Sequence, residues 1–421
     1  MNFAIIGSGG REHSICLTLK KSKKLKKIYC IPGNGGTSEI AININIDIHN
    51  FQILKDFILE KKIDLVIIGP EGPLVDGLTD YLEKFKINVF GPNKNAAQLE
   101  GSKIFTKQIC YKKNIPTAKF GIFENKENSI NFLKNSKFPI VIKADNIAAG
   151  KGVYISNNLD EGINAVQEIF DGKFGFAKNI LIEEFLEGEE MSFFVITDGI
   201  TVKDFGTAQD HKRVFDGDKG SNTGGMGCYS PSRLINDELR EKILKRIIHP
   251  TLEALKEDGI IYKGFLYAGL MIKNNNPYLI EYNVRMGDPE CQTILPKLDS
   301  DLVNIFFATI NQQLNQKKIK WKNKKSICVV LCSDGYPDTY KKNIEIDNFH
   351  KLKFKKNEYL FHAGTKKNNQ KFYAIGGRVL NFVSISKDFQ TAKKNVYSHL
   401  KKLNWKNGFY RKDIGYKVLT S

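Results

Sequence analysis

Three short apolar strands near the N-terminus, each followed by a glycine-rich loop, constrain the fold of this chain more than any other feature. The strands span residues 3–6, 28–31 and 65–68, and the loops span residues 7–13, 32–37 and 69–74. A strand, a glycine turn and a helical pattern form the opening of a doubly wound α/β domain. Loops at the carboxyl ends of parallel strands meet along one edge of the sheet, where ligands bind. The sequence therefore predicts a Rossmann-like parallel-sheet domain at the N-terminus.

The segment from the first loop to the end of the second strand is similar to a dinucleotide fingerprint but departs from it at two positions. Glu12 stands where the third glycine of G-x-G-x-x-G is needed for packing, and Pro32 ends the second strand, where an acid would bind a ribose hydroxyl. Both positions argue against NAD and a nicotinamide oxidoreductase. A helix N-terminus with free N–H groups remains, which suits a phosphate. Glu71 in the third loop is expected to bind substrate hydroxyls or an amine, or to neighbour a helix N-cap.

Composition excludes several classes of protein. The formal net charge is +18, but the lysines of residues 20–27, 317–325 and 351–356 are scattered among Asn and Ile without interleaved aromatic residues. This pattern argues against a nucleic-acid partner. Seven cysteines without a CxxC pair are typical of reduced intracellular thiols. No signal peptide or membrane-spanning run is apparent, so we expect a cytoplasmic protein without a membrane partner.

A lysine ends an apolar strand in the middle of the chain. Val141 and Lys143 share one face of the strand predicted over residues 138–143, and a buried lysine must reach an anion or water. The next strand, over residues 152–156, follows a turn at residues 150–152 whose backbone N–H groups could approach phosphate oxygens. Residues 179–192 then predict a strand that stops, bends and resumes. Such a hinge could bind an adenine, or it is a charged connection between strands.

Residues 278–290 (YLIEYNVRMGDPE) carry an acid and an amide on one strand face, Glu281 and Asn283, with Arg285 two residues later. Two hard oxygen ligands beside a guanidinium suit a divalent cation bound to a polyphosphate. The alternative is an edge strand with a solvated polar face.

These segments occur in an order that resembles the ATP-grasp enzymes, and the finer match is to the phosphoribosylamine–glycine ligase family. The segments that carry this match are GSGGREH (7–13), GPEGPL (69–74), QLEGSKIFTK (98–107), VIKADNIAAGKGV (141–153), IEEFLEGEE (182–190), QDHKR (209–213), NTGGMGCYSP (222–231), GFLYAGLM (264–271), IEYNVRMGDPE (280–290), FHAGT (361–365) and GGRVL (376–380).

The resemblance implies an α/β and α+β multidomain fold. An N-terminal pre-ATP-grasp domain for phosphoribosylamine would span residues 1–101, and a central ATP-grasp domain would span residues 102–325. A small lid would form about residues 118–188 of the central domain, and a small α+β C-terminal domain would span residues 326–421 and pack against the N-terminal one. The implied reaction joins glycine to 5-phosphoribosylamine with ATP and Mg²⁺ or Mn²⁺, through a glycyl phosphate. We expect the protein to act as a monomer.

The resemblance also implies roles for individual residues. Lys143 and Arg285 would be catalytic, and Glu281 and Asn283 would hold metal ions. The implied ATP-binding residues are Lys103, Lys143, Gly150, Lys151, Gly152, Glu183, Glu184, Leu186 and Glu190. The implied substrate-binding residues are Gly9, Gly10, Arg11, Glu71, Asp210, Lys212, Gly224, Gly225 and Arg378.

Several details stay open at this point. Related enzymes place another metal-binding acid on the strand beside Glu281, where this chain has Gly269. Asp210 is expected to bind the glycine ammonium, whereas His211 is expected to be structural. Arg378 either reaches the substrate phosphate or forms a surface ion pair. No role is predicted for residues 411–414.

Two rival functions also remain. A formate-dependent transformylase or a carboxylase of the ATP-grasp class is the nearer one, and the QDHKR and NTGGMG segments argue against it. A nucleic-acid-binding protein with a degenerate ATP site is the other. It would show tight and steeply salt-dependent DNA or RNA binding.

Overall fold

The computed structural model describes residues 1–145, 152–173, 175 and 177–419, so the predicted flap positions Gly150 and Lys151 lie outside the described residues.

The N-terminal domain is built on a parallel sheet. The strands are β1 (Asn2–Gly7), β2 (Lys27–Pro32), β3 (Ile42–Asn43), β4 (Leu65–Ile68) and β5 (Val89–Phe90), in the order β3-β2-β1-β4-β5. The helices are α1 (Gly10–Leu19), α2 (Phe51–Glu60), α3 (Glu71–Asp76), α4 (Leu78–Glu83), α5 (Lys94–Gly101) and α6 (Lys103–Lys112). All paired strands are parallel, which confirms the predicted sheet.

A separate four-stranded antiparallel sheet follows α6. It contains β6 (Phe120–Phe123), β7 (Ile140–Ala144), β8 (Val153–Ser156) and β9 (Ile180–Glu184) in the order β6-β9-β7-β8, with α7 (Lys126–Lys134) and α8 (Leu159–Phe170). Apolar residues of β7, β9 and α8, among them Ile142, Val166 and Ile182, form its own core. This unit, called the lid below, carries Lys143 on its sheet.

The central and C-terminal regions share one sheet. The central elements are β10 (Glu189–Thr197), β11 (Val202–Asp210), β12 (Arg213–Phe215), β13 (Lys219–Asn222), β14 (Gly227–Ser230), α9 (Asp237–Ile243), α10 (His249–Glu257), β15 (Gly264–Lys273), β16 (Asn276–Asn283), α11 (Glu290–Ile294) and α12 (Leu302–Ile310). The C-terminal elements are β17 (Lys325–Ser333), β18 (Ile344–Glu345), β19 (Glu358–His362), β20 (Thr365–Asn368), β21 (Lys371–Ala374), β22 (Arg378–Ser386), α13 (Phe389–Leu403) and β23 (Gly408–Phe409).

The shared sheet has the order β16-β15-β10-β11-β14-β17-β22-β19, with β23 also on β17. Because β14 pairs with β17, the sheet runs through the boundary that the sequence places between residues 325 and 326. The C-terminal region also contacts the N-terminal domain, as expected: the Asn34 side chain donates to the His362 carbonyl at 2.8 Å, and the Gly35 N–H donates to the Thr365 carbonyl at 2.9 Å. Within the described residues, no helix has the length and apolar character needed to cross a membrane.

Candidate active site

A cavity of about 880 Å³ lies between the N-terminal loops, the lid and the shared sheet. Most of the residues singled out from the sequence line it. They are Gly9, Arg11, Glu71, Lys103, Lys143, Gly152, Glu183, Glu184, Leu186, Glu190, Asp210, Lys212, Gly224, Glu281, Asn283, Arg285 and Arg378. Residues from all parts of the fold therefore converge on one site.

Two predicted substrate-binding glycines lie behind the cavity wall instead. Gly10 is buried in the first turn of α1, where an added Cβ would lie 2.5 Å from both the Gln292 and the Asn381 side chains. Gly225 has φ +114°, and a Cβ there would lie 2.5 Å from Pro289 and 2.8 Å from an Asp210 oxygen. Both positions need glycine for close packing, and neither lines the cavity.

Three charged side chains of the lid and α6 form a buried cluster. The Glu183 carboxylate on β9 pairs with both the Lys143 and the Lys107 ammonium groups. Burial alone would raise the pKa of Glu183, but the two lysines hold it below its ordinary value. The Glu183 side chain is therefore tied to these two lysines.

Lys103 anchors the start of α6 against the lid. Its ammonium donates to the Ala144 carbonyl at 2.9 Å, and burial lowers its pKa. Asp145 accepts the Ile104 N–H at 3.1 Å and the Ser102 hydroxyl at 3.2 Å. These contacts place the Lys103 and Lys143 ammonium groups on the same side of the cavity.

The segment between β9 and β10 forms an apolar part of the wall. Glu184 accepts the Lys119 N–H at 2.9 Å, which ties its side chain to the residue before β6. Phe185 and Leu186 follow and line the cavity with Val141 and Ile155 of the facing strands. Flat apolar walls beside an exposed backbone suit a purine base.

Glu190 and Lys212 form an ion pair across this wall. Their charged atoms are 2.8 Å apart, and each side chain is partly exposed to the cavity. The Lys212 charge lowers the pKa of Glu190, and the Glu190 charge raises that of Lys212. The sequence assigns them to different ligands, so their direct contact was not anticipated.

Glu281 and Asn283 lie on β16 at the edge of the shared sheet, and both line the cavity. Glu281 pairs with Gly269 of β15, where an added Cβ would lie 3.3 Å from the Glu281 side chain. The strand is thus an edge strand, as the alternative proposed, but its polar face forms part of the cavity wall.

The oxygen atoms of Glu281 and Asn283 suit a metal ion that also binds substrate phosphates, and they do not form a metal site made of protein ligands alone. In the part of the chain that the structure describes, no three His, Cys, Asp or Glu side chains are grouped to hold a metal. Mg²⁺ commonly binds through one or two protein oxygens together with water and substrate phosphates. Glu281 and Asn283 are sufficient for that mode of binding.

Arg285 is held by two acids. Its guanidinium lies 2.7 Å from Glu100 and 3.3 Å from Glu71. The Arg285 charge lowers the pKa of Glu71 to about 2, whereas burial raises the pKa of Glu100 to about 7. Glu71 is also the first residue of α3, so it combines a helix start with an ion pair.

Two of the N–H groups at the N-terminus of α1, which the sequence predicts to be free, are occupied. The Gly9 N–H donates to Glu12 at 2.6 Å, and the Arg11 N–H donates to Asp288 at 3.1 Å. The expectation is wrong at these two groups, because Glu12 caps its own helix and Asp288 reaches it from the loop after β16. The Arg11 guanidinium, which donates to Glu12 at 2.5 Å, still lines the cavity.

Two acids of the cavity wall, Asp210 and Glu290, lie close to each other. Burial and repulsion from Glu290 raise the pKa of Asp210 well above its ordinary value, while Lys212 and Arg378 oppose that shift. The Arg378 guanidinium lies 3.2 Å from the Asp288 carboxylate and donates to the Gly224 carbonyl at 2.6 Å. A cation between Asp210 and Glu290 would relieve their repulsion.

His211 is structural, as expected. It lies next to Asp210, but its ring contacts the Gly227 carbonyl at 3.2 Å and accepts the Gly415 N–H at 3.3 Å. Burial lowers its pKa to about 4.

Three models of phosphoribosylglycinamide synthetase match the chain in order. The N domain matches residues 1–100, the ATP-grasp (A) domain residues 101–291 and the C domain residues 326–417. The chain belongs to the phosphoribosylglycinamide synthetase family. Family membership assigns it to the ATP-dependent ligases of purine biosynthesis.

Individual members of the synthetase family match over their full lengths. The phosphoribosylamine–glycine ligase of Brucella melitensis is 44% identical over 420 residues, covering 100% of this chain and 98% of the relative. That of Mesorhizobium japonicum is also 44% identical, with 100% and 99% covered. The crystal structure of phosphoribosylamine–glycine ligase from Thermotoga maritima superposes with a TM-score of 0.86 at 32% identity, covering 99% of this chain and 100% of that one.

Several charged residues of the cavity wall were given no site role by sequence reasoning. Among them are Glu100, Lys107 and Glu290. Lys107 lies four residues after Lys103, a spacing that puts both on one face of α6 and could have revealed it. Glu290 ends the 278–290 segment but was given no role. Nothing in the local sequence marks Glu100 as the partner of Arg285.

Proposed function

We propose that this synthetase joins glycine to 5-phosphoribosylamine, with ATP becoming ADP and phosphate, and that a glycyl phosphate is the intermediate. The product would be glycinamide ribonucleotide, formed in the second step of de novo purine biosynthesis. The need for ATP follows from the chemistry, because a carboxylate is a poor electrophile and oxide is a poor leaving group.

The observation that carries the proposal is the sorting of charge along one cavity. The lysines Lys103 and Lys143 lie beside the apolar wall at Leu186, as a polyphosphate attached to a purine requires. Negatively and positively charged side chains occur together around Asp210 and Lys212, which suits a small zwitterion. The arginine-rich end near Arg11 suits a sugar phosphate.

In the first step, a glycine carboxylate oxygen attacks the γ-phosphorus of ATP, and the bond from that phosphorus to the β–γ bridging oxygen breaks. Lys143 and Lys103 neutralise the phosphate charge and hold the chain of phosphates in line. Arg285, fixed by Glu71 and Glu100, stabilises the transferring phosphoryl group. Glu281 and Asn283 would hold Mg²⁺ or Mn²⁺, which supplies further charge neutralisation at the phosphates.

In the second step, the amine nitrogen of phosphoribosylamine attacks the acyl carbon. A carbon–nitrogen bond forms, the bond from carbon to the phosphate oxygen breaks, and the proton lost by the nitrogen leaves with the released phosphate. Asp210 binds the glycine ammonium and so keeps the acyl carbon in place between the two steps. Arg11 and Arg378 hold the ribose phosphate at the end of the cavity where both guanidinium groups are fixed by ion pairs.

The same protein would act as a monomer in the cytoplasm, with no nucleic acid or membrane as partner. The support for a monomer is that one chain supplies the wall of the cavity from the N-terminal loops to Arg378.

The test is a comparison of carboxylate substrates. The protein is incubated with ATP, Mg²⁺ and phosphoribosylamine, together with glycine, formate or bicarbonate in turn, and ADP release is measured. We expect rapid ADP release when the added carboxylate is glycine, and not when it is formate or bicarbonate. ADP release that depends on formate or bicarbonate and does not change with glycine would instead support a transformylase or a carboxylase.

A further inference from the structure

We propose that Arg411, which lies outside the cavity, is a positioning residue for the glycine-binding end of the active site. It fixes the β12–β13 hairpin, whose two ends line the cavity. The inference rests on the proposed function, since it takes Asp210 and Lys212 as the surroundings of glycine.

The hairpin begins and ends at cavity residues. Lys212 precedes β12, and Asn222, Thr223 and Gly224 end or follow β13; all four line the cavity. The Lys212 carbonyl accepts both the Thr223 N–H and the Thr223 hydroxyl at 2.8 Å. Movement of the hairpin would therefore move the Lys212 ammonium and the Thr223–Gly224 backbone together.

The hairpin has little packing of its own. Among the residues that the structure describes, its two strands pair with each other and with no further strand, and all four residues of β13 are exposed. Phe215 is 57% exposed, and Val214 is the buried apolar residue of β12. A two-stranded hairpin of this kind is at best marginally stable without outside support.

The outside support comes from the C-terminal segment. Arg411 is 1% exposed, and its Nη1 donates to the Asp218 carboxylate at 2.8 Å and to the Arg213 carbonyl at 3.0 Å. Its Nε and Nη2 donate to the two oxygens of Asp413 at 2.8 and 2.7 Å. One guanidinium therefore joins the first strand and the turn of the hairpin to the C-terminal segment.

The neighbours of Arg411 hold the turn of the same hairpin. Asp413 accepts the Gly217 N–H at 2.8 Å, and the Lys412 N–H donates to Asp216 at 2.8 Å. The Tyr416 hydroxyl donates to the second oxygen of Asp218 at 2.8 Å. Every residue of the turn is thus bonded to the segment that Arg411 organises.

This arrangement requires arginine. Only a guanidinium offers a planar fork to Asp413 and a further donor to Asp218 at the same time. A lysine could pair with one of the two carboxylates. The base of the hairpin has further support, because the Gly224 N–H donates to the Tyr336 hydroxyl at 3.1 Å and Arg378 binds the Gly224 carbonyl. Loss of Arg411 should therefore loosen the turn most, and Lys212 through β12 to a smaller extent.

The test compares full-length Arg411→Met, Arg411→Lys and wild type, with Glu358→Gln as the control. Glu358 pairs with His399 at 2.9 Å in the same C-terminal region but away from the hairpin. Asp218→Asn, at a more exposed partner of Arg411, serves as a second variant should Arg411→Met fail to fold. Amide hydrogen exchange is measured over residues 213–222, together with the KM values for glycine and ATP and kcat.

We expect Arg411→Met to speed exchange of the hairpin and to raise KM for glycine about tenfold, with KM for ATP changed by less than about twofold. Arg411→Lys should lie between this variant and wild type, and Glu358→Gln should match wild type. Unchanged hairpin exchange, an unchanged KM for glycine, or an equal rise in both KM values would overturn the proposal. Absence of glycine-dependent ADP release in the wild type would instead overturn the proposed function, and the exchange comparison would then decide the role of Arg411 alone.

Discussion

Lys143 and Glu183 form a buried ion pair on neighbouring strands of the lid, with Lys107 as a second cation on the same carboxylate. In the proposed mechanism Lys143 binds the ATP phosphates, so this pair would couple ATP binding to the stability of the lid. Because Glu183 already holds the lysine in place, its conformational entropy is reduced before ATP arrives. Lys143 and Glu183 should therefore respond differently to mutation.

Lys143→Met should impair ATP use and leave the fold intact. Lys107 still pairs with Glu183 in this variant, so no buried acid loses all its partners. KM for ATP should rise at least about tenfold, which corresponds to a loss of about 1.4 kcal/mol of binding free energy. Steady-state kinetics with ATP varied would measure this, with exposed Lys119→Met as the control. Loss of cooperative unfolding in Lys143→Met would mean that the lysine is mainly structural.

Glu183→Gln should destabilise the protein strongly. It leaves two buried ammonium groups without a counter-charge, which typically costs about 3–5 kcal/mol. Urea denaturation would report the free energy of unfolding. The matched control is Glu184→Gln, the next residue, whose exposed side chain accepts the Lys119 N–H and can still do so as an amide. Equal stability of the two variants would show that the charge cluster contributes little.

Strand alternation is local, and it suffices to predict that Val141 and Lys143 share a face and that Glu281 and Asn283 share another. Both pairs line the cavity. The resemblance that the motifs carry likewise implies the three-part architecture. These features depend on residues close together in the chain.

Contacts between distant segments could not be predicted in this way. Arg11 and Asp288 are 277 residues apart, and their contact occupies an N–H group that the local pattern leaves free. The partners of Arg411 on the hairpin are equally remote, which is why residues 411–414 carried no expectation. Gly10 and Gly225 resemble ligand-binding glycines locally, but tertiary packing determines that they lie behind the wall.

Glu281→Ala should weaken metal binding and turnover together. With Gly269 opposite, β15 offers no second carboxylate to compensate. Electron paramagnetic resonance of Mn²⁺ with ADP present would show an affinity lower by at least about tenfold, within the range for loss of a metal ligand's support. Exposed Glu187→Ala is the control. Unchanged Mn²⁺ affinity would remove Glu281 from the metal site.

Acid should destabilise the protein through His211. Its folded-state pKa is about 4, below the ordinary value of 6.5, because burial, and to a smaller extent the Arg411 charge, disfavours the protonated ring. The unfolded chain therefore binds more protons below pH 6.5, and stability is lost as the pH falls from 6.5 towards 4. The loss from this group is about 3 kcal/mol.

The measurement is the free energy of unfolding of wild type and His211→Gln across this pH range. Glu100 acts in the opposite sense, since its raised pKa favours the folded state at low pH and that contribution fades as the pH rises through about 7. The difference between the two proteins isolates His211, and His350→Gln removes an exposed histidine as the control. A constant difference across the range would contradict the prediction.

The central claim is that the cavity activates glycine as an acyl phosphate. The most direct measurement uses glycine labelled with oxygen-18 in its carboxylate, together with ATP, Mg²⁺ and phosphoribosylamine, followed by mass spectrometry of the phosphate released. The account predicts that each phosphate carries one carboxylate oxygen, because the bond broken in the second step lies between carbon and that oxygen. Unlabelled phosphate, released in step with the ligated product, would contradict it.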